Sequence, residues 1–125
     1  LILVSDIGLM PFSQTHESRI DDAIAAFMAK RRPPVALRNT VDLLHRLTGQ
    51  SLEIYELRPA FQGKPGLMHE HPVAKATFVK KHDHWRVYWM RRDLRWHSYQ
   101  PAPTASSIEA FCKFVDEDRH GCFFG

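Results

Sequence analysis

Aromatic and basic side chains are concentrated between Trp85 and Tyr99. All three tryptophans and two of the three tyrosines fall in this run, interleaved with arginines around an Arg-Arg-Asp-Leu break. Residues 80–97 hold six Lys or Arg against two Asp, a net charge of +4, whereas the whole chain sums to +3. Proteins bind single-stranded nucleic acid with such groups, because bases stack on the rings while cations meet phosphates. The run therefore predicts a non-enzymatic binding or regulatory module, with nucleic acid or an acidic protein as its partner.

Strand alternation divides this run into two faces. Trp85 and Trp89 share one face, and we expect both to pack in the core while arginine stems cover the sheet edge. Arg95, His97 and Tyr99 share a face that we expect to be accessible and polar. A solvated basic surface without a ligand is the competing interpretation. The predicted ligand-binding residues are Arg58, Lys75, Arg95, His97 and Tyr99.

The chain has eight histidines, and four of them fall in two pairs with the His-x-His spacing. These two pairs are a second candidate site. On a strand, residues i and i+2 point the same way, which suits two imidazoles on one Zn²⁺. Both pairs fall in predicted loops or turns, however, and His120 and Cys122 complete a site only if the fold brings them close. We therefore predict no metal site and no cofactor. The weak alternative is a site formed by His69, His71, His82 and His84.

Carboxylates on predicted strands allow a different function, that of a divalent-metal-dependent hydrolase or nuclease. In such enzymes carboxylates hold Mg²⁺ and a lysine assists the attacking water. The usual acid-x-Lys pair is missing here, since Glu56 is followed by Leu57-Arg58, and solvated strand charges are the simpler interpretation. The catalytic residues of this alternative are Asp42, Glu53, Glu56 and Lys75.

Glu56 and Arg58 fall on the strand face that also carries Leu52 and Ile54. This position predicts a partly buried ion pair or an anion-binding Arg58. If Tyr55 points inward instead, both charges are simply solvated.

Changes of hydrophobic period predict the elements that position these residues. A composition of 44% hydrophobic and 25% charged residues is typical of a folded globular chain. The expected fold class is α+β, an antiparallel β-meander of about five strands with an N-terminal and a C-terminal helix packed on one face. The C-terminal helix begins at a Ser106-x-x-Glu109 capping box. Predicted helices cover residues 17–31 and 107–117, and predicted strands cover 40–47, 52–58, 73–81, 85–91 and 95–99, with a long connection over 59–72.

The C-terminal region combines misplaced acids with terminal aromatic residues. Asp116, Glu117 and Asp118 lie where the helix dipole disfavours anions, which predicts basic partners such as the hairpin arginines. Phe123 and Phe124 are expected to dock in the core. Docking onto a second copy, as in a homodimer or another assembly, is the alternative.

The two cysteines, Cys112 and Cys122, are too few for a disulfide framework, so we expect free thiols in the cytoplasm. No apolar run is long enough to cross a membrane, and no membrane partner is expected. We expect residues 1–12 to be a flexible extension before a single domain at 13–125. Met10 is the first methionine, and a natural start there is a further expectation.

Several motifs resemble a small bacterial family known only as domain of unknown function 3024. They are Trp85-x-x-Tyr88-Trp89, Asp93-Leu94-x-Trp96-His97-x-Tyr99 and the ending Asp118-x-x-Gly121-Cys122-Phe123-Phe124-Gly125. The resemblance covers residues 17–125 and implies a stand-alone bacterial cytoplasmic protein. It supplies no activity, cofactor or catalytic residue.

Overall fold

A computed structural model of the 125-residue chain describes residues 12–60, 63–64 and 66–125. Within these residues, two α-helices and six β-strands follow one another in the order α1, β1 to β6, α2, which agrees with the predicted α+β class. Short 3₁₀ segments at Val35–Leu37 and Lys80–His82 join some of them. The elements are α1 (Gln14–Arg31), β1 (Asp42–Thr48), β2 (Ser51–Pro59), β3 (Met68–Val79), β4 (His84–Met90), β5 (Trp96–Ser98), β6 (Thr104–Ala105) and α2 (Ile108–Glu117).

The strands form one antiparallel sheet in the order β1-β2-β3-β4-β5, the predicted meander. The short strand β6, which the sequence did not indicate, pairs with the first half of β4 on the edge where β5 pairs with its second half. Gly49, at a φ of 58°, opens the two-residue turn between β1 and β2. Such a turn favours glycine because other side chains are strained at positive φ.

Strand β3 begins at Met68, five residues before the predicted start. The prediction assigned residues 59–72 to a connection, and Pro72 supports that assignment because a proline has no N–H to donate to a strand ladder. The ladder between β2 and β3 is irregular at this point, since Ile54 pairs with Ala74 while Tyr55 pairs with Pro72. Val73 is therefore an extra residue in a β-bulge, the kind of site that accommodates proline.

Both helices pack on the same face of the sheet, where the core lies. Alternate strand residues point toward them and are almost fully buried, including Ile54, Val87 and Trp85. From the helices, Ile20 and Phe111 fill the same layer. The core positions expected for the tryptophans are thus confirmed for Trp85, whereas Trp89 is half-buried against the edge of the core.

The helix N-termini are capped by serines. Ser13 accepts a hydrogen bond from the N–H of His16 at 3.1 Å, so α1 begins at Gln14, three residues before the predicted start. At α2 the cap is Ser107, which accepts from the N–H of Ala110, so the predicted capping box at Ser106 is wrong by one residue. The cap moves because Ser107 itself adopts the extended conformation that the N-cap position requires.

Asp116 at the end of α2 is neutralised by α1, and Glu117 pairs with Arg119, so the hairpin arginines are not the basic partners as expected. Asp116 pairs with Lys30 and with Arg31, both at 3.3 Å. Because Arg19 of α1 also pairs with Glu109 of α2, the two helices run in the same direction. The basic last turn of one helix therefore lies beside the acidic last turn of the other.

Asp118 fastens the C-terminal segment. Its carboxylate oxygens accept hydrogen bonds from the N–H groups of Phe123 and Phe124 at 3.0 and 2.9 Å. Phe123 is buried in the core of its own chain, as expected, so it does not dock onto a second copy. Phe124 is half-buried beneath the guanidinium of Arg31, which lies 4.4 Å from the ring centroid.

Phe12 is 4% exposed and stacks on Trp85, so the folded part includes a residue that was expected to belong to the N-terminal extension. Residues 1–11 lie outside the described part of the chain. Among the described residues, no helix is both long and apolar enough to cross a membrane.

Candidate functional site

The sheet face opposite the helices, here called the open face, contains no buried residue among those that the structure describes. Its side chains come from the alternate strand positions that point away from the core. They are half-buried or exposed, and they include aromatic, basic and hydroxyl groups. In β4 and β5 these residues are His84, Arg86, Tyr88, Met90, Trp96 and Ser98.

Strand pairing arranges the open face in rows that run across the strands. The central row runs from β1 to β5 through directly paired residues, and three of its residues are charged. A neighbouring row consists of small hydroxyl residues and one arginine. The central row is Arg46, Glu53, Lys75, Tyr88 and Ser98, and the neighbouring row is Thr48, Ser51, Thr77, Arg86 and Thr104.

Lys75 lies against two aromatic rings of the open face. Its ammonium nitrogen is 4.9 Å from the ring centroid of Tyr88 and 5.0 Å from that of Trp96. Cation–π contacts at exposed sites contribute only about 0.5–1 kcal/mol each, so a ligand that stacks on these rings can displace the ammonium. The two rings belong to neighbouring strands, because Tyr88 pairs with Ser98 and Met90 pairs with Trp96.

Glu53 is held by Tyr55 rather than by the lysine opposite it. The hydroxyl of Tyr55 donates to Oε1 of Glu53 at 2.6 Å. Burial and this hydrogen bond raise the pKa of Tyr55 to about 12, so its hydroxyl stays protonated at neutral pH. Arg46 covers the Tyr55 ring at 5.0 Å and forms a salt bridge with Glu70 at 2.9 Å.

The hydroxyl row contains one internal hydrogen bond and one basic group. Ser51 Oγ and Thr77 Oγ1 lie 2.7 Å apart. Arg86 is exposed between Thr77 and Thr104 in this row and forms no ion pair with any residue in 12–60, 63–64 or 66–125. Together with Lys75, it supplies positive charge beside the aromatic rings.

The five predicted ligand-binding residues do not form one surface. Lys75 lies on the open face, whereas His97 pairs with Trp89 and so points to the helix side of the sheet. His97 Nε2 lies 2.7 Å from Asp93 Oδ2, and the N–H of Arg95 donates to the other oxygen of the same carboxylate at 3.0 Å. These contacts lower the pKa of Asp93, chiefly through His97. They fix the turn between β4 and β5.

Tyr99 is 3% exposed, so its predicted place on an accessible polar face is wrong. Its N–H donates to the carbonyl of Val87, and its ring lies 4.8 Å from that of Phe123 in the core. Desolvation raises the pKa of its hydroxyl. Tyr99 lies on the helix side of the sheet, as His97 does two residues earlier, so the predicted alternation holds. The prediction is wrong because the face that these two residues share is the one that packs against the core.

Glu56 and Arg58 form the predicted ion pair, with an N–O distance of 3.3 Å. The pair is only partly buried, because the side chain of Glu56 is 21% exposed and that of Arg58 is 52% exposed. It lies near the end of β2, on the helix side of the sheet. Arg58 is thus remote from the Lys75 side of the open face.

The histidine pairs cannot form the alternative four-histidine metal site. His69 and His71 are on the first part of β3, not in a loop as predicted, while His82 and His84 lie beyond its other end. At about 3.3 Å per strand residue, the length of β3 separates the pairs widely. In the described part of the chain, no group of three or more His, Cys, Asp or Glu residues is placed to hold a metal ion.

The carboxylates of the alternative nuclease site are also separated. Nε and Nη2 of Arg32 donate to the two carboxylate oxygens of Asp42, each at 2.9 Å, and this pairing lowers the pKa of Asp42. Glu53 lies on the open face next to Lys75, whereas Glu56 points to the opposite side of β2. The three carboxylates therefore cannot bind one metal ion together.

Neither cysteine is activated. Both are free thiols, as expected. Burial raises the pKa of Cys112 to about 12, and burial also raises that of the half-buried Cys122. A raised pKa leaves little thiolate, which is the nucleophilic form.

A family model described as a domain of unknown function (DUF3024) matches residues 12–125. The chain belongs to this family. The match confirms the relationship suggested by the sequence motifs and covers both helices and all six strands. No curated protein and no solved structure matches the chain.

Proposed function

We propose that this DUF3024 protein is a non-enzymatic module that binds single-stranded nucleic acid on the open face of its sheet. The single observation that carries this proposal is the position of Lys75 against Tyr88 and Trp96, on a surface that neither helix covers. Bases would stack on the two rings, and Lys75 and Arg86 would neutralise phosphates.

The interaction energies favour replacement of the Lys75 ammonium by a base on the two aromatic rings. Stacking of a base on an aromatic side chain contributes about 1–3 kcal/mol, whereas an exposed cation–π contact contributes about 0.5–1 kcal/mol. A displaced Lys75 ammonium also gains a phosphate partner, since the side chain is long and flexible. When no ligand is bound, Lys75 therefore covers the two rings. When a nucleic acid is bound, the same side chain contributes to affinity by contacting a phosphate.

Single strands fit this surface better than duplexes. The open face is a sheet, and the described residues place no helix on it that could enter a groove. Unstacked bases are required for contact with flat rings, and these are available only in single strands, loops and ends. An acidic protein partner would use the charges but would leave the aromatic pair without a role.

A direct titration tests the proposal. Fluorescence anisotropy of a labelled single-stranded RNA or DNA of about a dozen nucleotides would be measured at about 50 mM and about 200 mM salt. We expect binding at the lower concentration and a loss of about tenfold or more at the higher one, because phosphate neutralisation releases counterions. Absence of binding at low salt would refute the proposed function.

We infer that this binding takes place in the bacterial cytoplasm, in which the two free cysteines would stay reduced. The proposal needs no metal or cofactor. Residues 13–125 would act as one domain, to which Phe12 also contributes core packing.

A further inference from the structure

Glu53 occupies a position in which it would meet the edge of a base bound to Tyr88. It lies two strands from Tyr88 in the central row, with Lys75 between them. Two strand spacings are about 10 Å, a span that one stacked base with a hydrogen bond at its edge would fill. When Lys75 turns toward phosphate, this space becomes available.

The carboxylate of Glu53 is oriented but not saturated. Oε1 accepts from the Tyr55 hydroxyl at 2.6 Å, and no group in the described residues donates to Oε2. Because the structure describes no buried polar side-chain atom without a partner, Oε2 is open to solvent. Lys75 pairs in register with Glu53 but turns its ammonium to the rings, and no ion pair joins the two side chains.

We propose that Glu53 selects bases that carry an exocyclic amino group, so that cytosine is bound in preference to uracil. The inference rests on the proposed function, since it concerns the same open face. A carboxylate accepts a hydrogen bond from the N4 amino group of cytosine, whereas uracil presents a carbonyl oxygen at the equivalent position. Adenine and guanine also carry amino groups, but the two pyrimidines have equal ring size and give the cleaner comparison.

Tyr55 is the positioning residue for this selection. Its hydroxyl holds one oxygen of Glu53 and leaves the other in a fixed direction, so removal of the hydroxyl would loosen the carboxylate without removing its charge. Arg46 does not compete for Glu53, because its guanidinium is bound to Glu70.

The test compares oligocytidine and oligouridine RNA of equal length by anisotropy, at low salt and neutral pH. We expect the wild-type protein to bind oligocytidine at least about fivefold more tightly, the lower range for one specific base contact. In Glu53→Gln the ratio of the two affinities should approach one, because an amide also donates to the carbonyl of uracil. Tyr55→Phe should lower the ratio part of the way.

Asp22→Asn is the matched control. Asp22 is exposed on α1 and forms no ion pair with any described residue, so its replacement removes an equal charge from the other side of the sheet. It should raise both affinities together and leave their ratio unchanged. Equal wild-type binding of both RNAs would refute the selectivity while leaving the proposed function intact, as would a preference that persists in Glu53→Gln. If neither RNA binds at low salt, the proposed function and this inference are both wrong.

Discussion

The ammonium group of Lys75 on β3 lies 5.0 Å from the ring centroid of Trp96 on β5, although β4 runs between the two strands. The lysine side chain therefore extends across the open face instead of projecting into solvent. It passes Tyr88, its direct partner on β4. This relationship unites three strands in one surface and explains why an aromatic pair can remain outside the core.

Replacing Tyr88 by alanine should weaken binding of single-stranded RNA by about five- to a hundredfold, since one stacking platform is lost. Anisotropy measures the effect, and circular dichroism checks that the variant is folded. Tyr88→Phe retains the ring and should bind within about twofold of the wild type. Equal affinities for the alanine variant and the wild type would exclude Tyr88 from the interface.

Replacing Lys75 by glutamine should change the salt dependence of binding more than the preference among sequences. One phosphate contact fewer lowers the slope of log affinity against log salt by about 0.7 for a single strand. Lys113→Gln, an exposed position of α2 on the helix side, serves as the control and should leave the slope unchanged. A slope that is the same for Lys75→Gln and the wild type would contradict the phosphate role.

Asp118→Ala should lower the free energy of unfolding by about 2 kcal/mol, because two backbone N–H groups lose their charged acceptor. Asp118 also has a φ of 41°, a conformation that asparagine tolerates better than alanine. Asp118→Asn should therefore cost clearly less. Urea unfolding measures both variants, and identical stability of the two would argue against this account of the C-terminal segment.

Acid should remove the contribution of the Arg32–Asp42 pair to the free energy of unfolding. The pKa of Asp42 is lowered in the folded chain, so the pair stabilises the protein above the unfolded pKa of about 3.9. That contribution is lost as pH falls through the lower folded pKa. The difference in unfolding free energy between wild type and Asp42→Asn should be constant near neutral pH and shrink below about pH 4. Urea unfolding at several pH values would reveal a constant difference if the assignment is wrong.

The strands and helices were predictable where the hydrophobic period is strong. The alternation at Trp85 and Val87 placed β4 correctly, and the helical period over residues 107–117 placed α2. The early part of β3 was missed because Pro72 signals the end of a strand unless a bulge accommodates it, and a bulge depends on pairing with β2.

The candidate site was only partly predictable, for a related reason. Alternation within one strand shows which of its residues share a face. It does not show which residues of the neighbouring strand lie on that same face of the sheet. Trp96 and Tyr88 share the open face only through the register of β4 and β5, and Lys75 joins them through the register of β3. Arg95 and His97 were predicted as ligand-binding residues because their side chains are basic. In the structure, His97 contacts Asp93 in the turn between β4 and β5.

Glu53 was considered only as a metal ligand, because the sequence does not reveal that Tyr55 donates to it. The two residues are separated by one position on the same face of β2, a spacing that would have allowed the contact to be suggested. Its consequence for recognition depends on Lys75 turning away, which only the arrangement of three strands determines.

The most direct test of the open face is a ¹⁵N–¹H NMR titration with single-stranded RNA, monitored at the three tryptophan indole N–H signals. The side chain of Trp96 lies on the open face, whereas that of Trp85 is 2% exposed beneath the helices. The account predicts a progressive shift of the Trp96 signal and of the backbone signals of Lys75 and Tyr88, with the Trp85 signal unchanged. A stationary Trp96 signal at saturating RNA, or shifts confined to α1 and α2, would contradict it.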